Sequence, residues 1–381
     1  MRTRTIAFAA ATILTVAACG GDDESTSIAS TAGATAGSTS TGVDNRLAVE
    51  DGAPFPTERC AANEAAGTVT FLTGFDYAAA SSIVDVIAAD AAGYYEALCL
   101  DVEIRPGFSA ANYPQVASGT AQFASGGSFS EIVAFSAAND ADFVAATVEG
   151  RSAIDTLITK SGTAAELSDL DGSTIGVKGK LPPSIDVMLR GAGLVEGENF
   201  DTVLLDGFDP VAHIAIDQIA GLPGWKSNEV GTLERDGIGV QLFDPLDFGV
   251  PGSFGVIFTS QSFIDEHPTA AEDFVRATTQ GLADAVADPA AAAASAVALI
   301  TGSGNPNFLS PEGEVFRWET EAALILDGTP EGMGLGVPDP VALQAELDAY
   351  AEVGLFGDGT TPSATEFIAT DLAAGVYDAA A

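Results

Sequence analysis

Residues 68–104 read TVTFLTGFDYAAASSIVDVIAADAAGYYEALCLDVEI, and this stretch settles the architecture. Thr68–Thr73 is a run of β-branched and apolar residues with strand character. From Ala79 to Leu98 apolar residues recur at Ile83, Val86, Ile87 and Ala91, a helical period. Leu100–Ile104 reads as a second strand. Strand, helix, strand over so short a span is a parallel βαβ unit. The rhythm continues downstream. A helix is expected at Asn112–Ser118, a strand at Ala121–Ala124, a helix at Glu131–Ala138 and a strand at Phe143–Thr147.

A second run of the same kind follows. Its strands are Thr156–Thr159, Thr174–Val177, Phe200–Leu205, Val240–Phe243 and Phe254–Thr259. Its helices are Ser184–Gly191, Pro210–Ile216 and Ser227–Arg235. Pro182 and Pro183 precede the first of these, where a first helical turn tolerates proline. From Ser262 onward the pattern is mostly helical, with Pro268–Ala287, Ala290–Ile300, Glu314–Leu326 and Pro340–Val353 as the main helices. Ala290–Ala298 is nearly all alanine, but it is short and lies between Pro289 and Gly302, so a surface helix is expected there and not a membrane span. No internal repeat is visible.

The beginning of the chain has a different character. Arg2 and Arg4 precede an apolar run from Ile6 to Ala18 that ends in Val16-Ala-Ala-Cys19. A basic head, a short apolar stretch and small residues at the cut are the layout of a secretory signal. The ending resembles a bacterial lipoprotein signal, which implies acylation of Cys19 and two acyl chains for stable anchoring. Gly20 to about Val43 is small and polar, without a hydrophobic period, and reads as a flexible tether. Export leaves Cys60 and Cys99 as one remaining pair. The exported compartment permits a disulfide between them, the alternative being two buried thiols.

The composition narrows the function. The 381 residues carry 14 Lys+Arg against 54 Asp+Glu, a formal net charge of −40. Phosphate backbones are held by Lys and Arg, so a nucleic-acid partner is excluded. Charge alone likewise disfavours anionic membrane surfaces. Apolar residues make up 47 % of the chain, so it has a core to bury. His213 and His267 sit in no metal spacing with Cys, Asp or Glu, and no Walker loop, nucleophile elbow or dinucleotide fingerprint is present. The expectation is a protein that is not an enzyme and holds no metal or cofactor.

Five motifs in order resemble one family. They are AGYYEALCLDVEI at 92–104, SGTAQFA at 118–124, LDGSTIGV at 170–177, WKSNE at 225–229 with FDPLDFGV at 243–250, and PTAAEDFVRA at 268–277 with ADPAA at 287–291. Together they resemble the solute-binding proteins of ABC importers, in the subgroup whose ligands include sulfonates, nitrate and thiamine-pyrimidine precursors. The resemblance implies the α/β type II periplasmic binding protein fold: two lobes joined by crossing strands, with the ligand in the cleft between them. The implied division is a signal peptide at 1–18, a tether running into the fold at 19–66, one lobe from 67–153 plus 259–381, and a second lobe with the hinge strands from 154–258.

In open α/β sheets ligands bind beyond the carboxyl ends of strands, near helix N-termini. In the resembling fold that rule selects four places. After the first strand, Asp76 is a hydrogen-bond acceptor or an N-cap. Tyr77 matches the aromatic residue of pyrimidine-binding relatives, although the positions of their Asn and His are Ala80 and Ile83 here. Ser81 and Ser82 are further polar candidates. After the third strand, Gly126 and Gly127 permit close backbone approach, and Ser128 or Ser130 either caps a helix or meets the ligand. In the second lobe Lys180 and Ser184 flank the di-proline. Trp225 offers a face for stacking, and Asn228 and Glu229 lie in a segment that faces the cleft in relatives. Scarce basic residues favour a heteroaromatic ligand, such as a pyrimidine or flavin precursor, over sulfonate or nitrate. The resemblance implies an ABC permease as partner, a monomer, and lipid attachment to the outer face of the cytoplasmic membrane. The alternative is a thiamine-pyrimidine-synthase-like enzyme or a transporter-independent sensor on the same fold. That enzyme branch carries a cysteine-rich iron motif, which this sequence lacks.

Overall fold

The computed structural model describes residues 47–50, 53–207, 209–305, 310–357 and 360–378. The leader at 1–18 and Cys19 lie outside the described residues. The first sheet holds β1 (Thr68–Leu72), β2 (Asp101–Arg105), β3 (Phe123–Gly126), β4 (Phe143–Gly150) and β10 (Phe254–Ser260), in the order β2-β1-β3-β10-β4. The second holds β5 (Asp155–Lys160), β6 (Thr174–Val177), β7 (Asp201–Leu204), β8 (Gly221–Trp225) and β9 (Val240–Phe243), in the order β7-β6-β8-β5-β9. The two orders are equivalent. In each, a strand arriving from the other sheet enters antiparallel beside otherwise parallel strands: β10 between β3 and β4, and β5 between β8 and β9. The chain crosses between sheets at 150–155 and 243–254. The break expected at 258 thus falls inside β10, a strand of the first sheet along its whole length.

Alternation along the strands divides each sheet between two apolar layers. In the first sheet Val69, Phe71, Phe123 and Ile257 face one core with Phe274. Leu72, Ala124, Val256 and Phe258 face the other, with Phe129 and Leu347. In the second sheet Leu157 and Ile158 likewise fall into separate clusters.

The helices are α1 (Thr57–Ala65), α2 (Val84–Ala91), α3 (Tyr94–Ala97), α4 (Ser109–Ala117), α5 (Phe129–Asn139), α6 (Pro183–Gly191), α7 (Pro210–Ile214), α8 (Glu229–Arg235), α9 (Gln261–Glu266), α10 (Pro268–Ala287), α11 (Pro289–Gly302), α12 (Pro311–Gly328), α13 (Pro340–Ala351) and α14 (Thr370–Asp378). The single helix expected over 79–98 is therefore two short ones. Its first part is held out of helical geometry because carboxylates take the amides: Glu314 accepts from Ala79 N–H, Glu321 from Ser81 N–H and Glu149 from Ser82 N–H. Gly93, at φ +73°, separates α2 from α3.

Residues 57–65, in the segment expected to lead from the tether into the fold, form α1, which is clamped to the first lobe. Cys60 is disulfide-bonded to Cys99, with the Cα atoms 5.2 Å apart. Arg59 is bidentate to Asp273 of α10 at 2.7 and 2.9 Å, and Asn63 donates to Asp273 and to the Leu98 carbonyl. The alanine-rich α11 is no bare surface helix. Ala293 and Ala296 are fully buried in the core that includes Trp318 of α12 and Ile87 of α2, a fit that small side chains permit. No single helix among the described residues is long and apolar enough to cross a membrane.

Candidate functional site

Loops at the carboxyl ends of β1, β2 and β3 face those of β6 and β8 across a cleft. Gly74 opens the β1 loop, and a Cβ there would lie 2.6 Å from Ser125 Oγ, so this backbone runs against the end of β3. The next residue, Phe75, turns into the cleft. An isolated bridge joins Phe75 to Phe108 of the β2 loop, and their rings meet edge to face at 5.7 Å. With Trp225 from the end of β8 they line a cavity of about 420 Å³, together with Ala78, Ala80, Ser109, Lys178, Asn228, Glu229 and Arg317. Phe108 is 53 % exposed and Trp225 41 %. Aromatic faces left to solvent on both sides of a cleft are surfaces for a flat apolar molecule.

The polar groups of this cavity are cross-braced. Lys178 Nζ donates to Glu229 Oε1 at 2.8 Å, while Glu229 Oε2 accepts from Trp225 N–H at 2.9 Å and so fixes the backbone that carries the indole. Arg317 of α12 donates to Asn228 Oδ1 at 2.7 Å and pairs with Glu314 at 2.6 Å. Four residues further along α12, Glu321 accepts from Ser81 N–H in the first lobe and from Ser227 Oγ in the second, each at 2.6 Å. One face of α12 thus straps both walls of the cleft.

A second cavity, of about 260 Å³, adjoins the first through Trp225 and Lys178. Its lining is polar: Ser128, Glu131, Asp155, Lys180, Ser184, Ser253 and Tyr350 take part, with Pro182 and Pro183. Burial pushes the Asp155 carboxyl up to about 7; the charges of Glu131 and Glu229 add to this, and Lys226 and Ser184 oppose it. Ser128 caps α5 in a reciprocal box with Glu131. Ser81 lines a narrow gap of about 40 Å³ beside Ser125, Trp225, Phe254 and Glu321.

The cleft therefore gathers Ser81, Ser128, Lys180, Ser184, Trp225, Asn228 and Glu229 of the sequence candidates. Asp76 and Tyr77 lie elsewhere. Asp76, at φ +44°, points its carboxylate at Asn305 N–H, which it accepts at 2.7 Å; it caps no helix, since α2 begins only at Val84. Tyr77 is packed among Ala79, Ile83 and Ile300. Burial raises its hydroxyl pKa, against a hydrogen bond to Ser303. Ser82 and Ser130 are buried and engaged with Ser125 Oγ and the Glu346 carboxylate. Phe75, Phe108, Asp155 and Arg317 were not among the candidates. The carboxyl-end rule applied to β2 would have found Phe108. Among the described residues no group of three or more His, Cys, Asp or Glu side chains is placed to hold a metal.

Two α/β lobes of equivalent topology around a cleft define a periplasmic binding protein fold. A model of the NMT1/THI5-like family matches residues 80–292, more than half of the chain, and the protein belongs to that family. Over 128 residues it is 30 % identical to the riboflavin-binding protein RibY of Chloroflexus aurantiacus, a match covering 33 % of this chain and 36 % of RibY, about a third of that relative's length. Among solved structures it is similar to a putative periplasmic sulfonate-binding protein SsuA of Methylobacillus flagellatus, with a TM-score of 0.60 and 17 % identity over 82 % of this chain and 94 % of that one. It is similar also to the periplasmic nitrate-binding protein NrtA of Synechocystis, with a TM-score of 0.57 and 14 % identity over 82 % and 88 %. At such identities the likeness is one of fold, and function has to be argued from the site.

Proposed function

We propose that the protein is the extracytoplasmic solute-binding component of an ABC importer, and that it captures a planar heteroaromatic ligand of the flavin or pyrimidine kind. The observation that carries this reading is the cavity faced by Trp225 from one lobe and by Phe75 and Phe108 from the other. A ring held there touches both lobes and so favours the closed arrangement, because a ligand shifts an equilibrium only by its differential affinity. The closed form is what a permease would recognise. Lys178 and Arg317 already serve Glu229, Glu314 and Asn228, which argues against sulfonate or nitrate as the cargo. The name of the RibY relative points the same way. In this reading the protein acts as a monomer and acylated Cys19 holds it at the outer face of the cytoplasmic membrane. A Cys19→Ser change then releases it or leaves it uncleaved; unchanged processing and retention overturn the anchor.

The ligand reading is tested by fluorescence titration with riboflavin, a pyrimidine, an alkanesulfonate and nitrate. The chain has two tryptophans, and Trp318 is fully buried, so a ligand-induced change reports on Trp225. Saturable quenching is expected from a planar ligand. Trp225→Ala should weaken that binding by about 0.5–1.5 kcal/mol beyond the lost contact area. Saturable binding of sulfonate or nitrate with none by the planar ligands overturns the reading.

A further inference from the structure

The polar cavity next to the aromatic one has a chemistry of its own. Resting on the planar-ligand reading, we infer that this cavity seats a neutral, hydroxylated arm attached to the ring, with Asp155 as the acceptor that fixes it, and that it rejects the same arm when it ends in phosphate. Three observations lead there. First, Asp155 and Trp225 are cross-strand partners of β5 and β8. Side chains so paired stand close together on a sheet, so a substituent on a ring stacked over Trp225 starts beside the Asp155 carboxyl. Second, Asp155 lacks strong donors. Among the described residues its one side-chain hydrogen bond comes from Ser184 Oγ at 3.5 Å. A half-buried carboxyl that lines the cavity and receives one long hydrogen bond is a ready acceptor for ligand hydroxyls. Burial holds it near neutrality, with a pKa of about 7, so that it can accept or donate as the arm requires.

Third, the lining carries no surplus of positive charge for an anion: Lys178 and Lys180 stand with Glu131 and Asp155. Lys178 is engaged by Glu229 at 2.8 Å, which leaves Lys180 against Glu131 and Asp155 in the lining. A phosphate dianion would enter beside two carboxyl groups. A polyol instead donates to Asp155 and Glu131 and accepts from Lys180 and Ser184. The two cavities, of about 420 and 260 Å³, are of the size that holds a fused ring with a short chain.

The probes are ring series in which the arm alone varies: lumichrome, riboflavin and flavin mononucleotide in one, and uracil, uridine and uridine monophosphate in the other. Each is titrated calorimetrically against the wild type, Asp155→Asn and Ser184→Ala. In whichever series binds, the hydroxylated member should bind about tenfold tighter than the bare ring and the phosphorylated one, as expected for one net hydrogen bond. Asp155→Asn should cut the affinity for the hydroxylated member alone and leave the bare ring unchanged. A bare ring that binds as tightly as the hydroxylated member overturns the arm site while the aromatic cleft stands. So does an Asp155→Asn change that weakens both alike. No binding by any member of either series overturns both readings. Thermal melts of the unliganded variants separate a folding defect from lost affinity, and Ser184→Ala repeats the comparison through the neighbouring donor.

Discussion

Phe75 and Tyr77 stand two positions apart in one loop and have opposite fates. Phe75 lines the cleft while resting against the core, and Tyr77 is buried inside that core between α2 and α11. Tyr77→Ala should therefore lower unfolding free energy by about 3–5 kcal/mol, the usual cost of emptying a large aromatic site, when measured by chemical denaturation. Tyr77→Phe should leave ligand affinity as it is. The exposed Phe108 should behave in the reverse manner: Phe108→Ala weakens binding of the planar ligand and moves stability by less than about 0.5 kcal/mol. That an aromatic residue follows β1 was legible in the sequence. Which of the two aromatics faces the ligand was not, because the chain turns through positive φ at Asp76 and side-chain alternation is lost there. Phe108 follows the carboxyl end of β2, where the strand-end rule reaches it; its meeting with Phe75 was not legible, because only the fold brings the two loops together at that bridge.

Among the elements, the parallel βαβ pattern was read correctly where apolar period and turn residues agree. β6, β9 and α10 fall at Thr174–Val177, Val240–Phe243 and Pro268–Ala287, as expected from sequence. β8 was missed, because GLPGW carries a proline and two glycines that argue against a strand. Its parallel pairing to β6 extends only to Gly221, so Pro223 lacks a partner on that flank and the missing N–H costs nothing there. The other unread feature is the strap role of α12, since nothing in its amphipathic pattern tells that Glu314, Arg317 and Glu321 grip loops of two lobes. Glu321→Ala would orphan the Ser81 amide and the Ser227 hydroxyl at once. The expected loss is about 1–3 kcal/mol for each buried donor, read by urea denaturation. A loss within error means that water or a neighbouring group replaces the carboxylate. Arg317→Ala should also cost stability, by about 3–5 kcal/mol, because it strips the buried Glu314 of its ion pair, and it should weaken ligand binding because it frees Asn228 at the cleft wall.

The molecule as a whole carries its excess of carboxylates inward as well as outward. Burial pushes Asp85 up to about 6, with a hydrogen bond to Glu149 opposing; burial also raises Glu149, which Asp85 and Glu321 raise further. Burial likewise raises Glu321, Glu346 and Asp155. Each of these groups holds its proton in the folded state at a pH where the unfolded chain has released it. Their contribution is complete below the unfolded carboxylate range, near pH 4, and is lost as pH rises through about 6–7. Stability should thus fall between about pH 4 and 7, by up to about 1.4 kcal/mol per pH unit for each carboxyl still protonated. Denaturation midpoints at constant ionic strength check this, and a rising midpoint sinks it. The Cys60–Cys99 bridge spans 39 positions, and its loss should cost about 4 kcal/mol by loop-closure entropy; denaturation with and without reductant measures it. Thiol titration of the unfolded, unreduced domain should find no free thiol from this pair. Together with the grip of Arg59 on Asp273, the bridge also decides how the protein bears load. A pull on the chain ahead of Thr57 passes through α1 into α10 and the base of β2, all within the first lobe. On the proposal that Cys19 is the anchor, that tension falls on the first lobe, and the second lobe lies off its line.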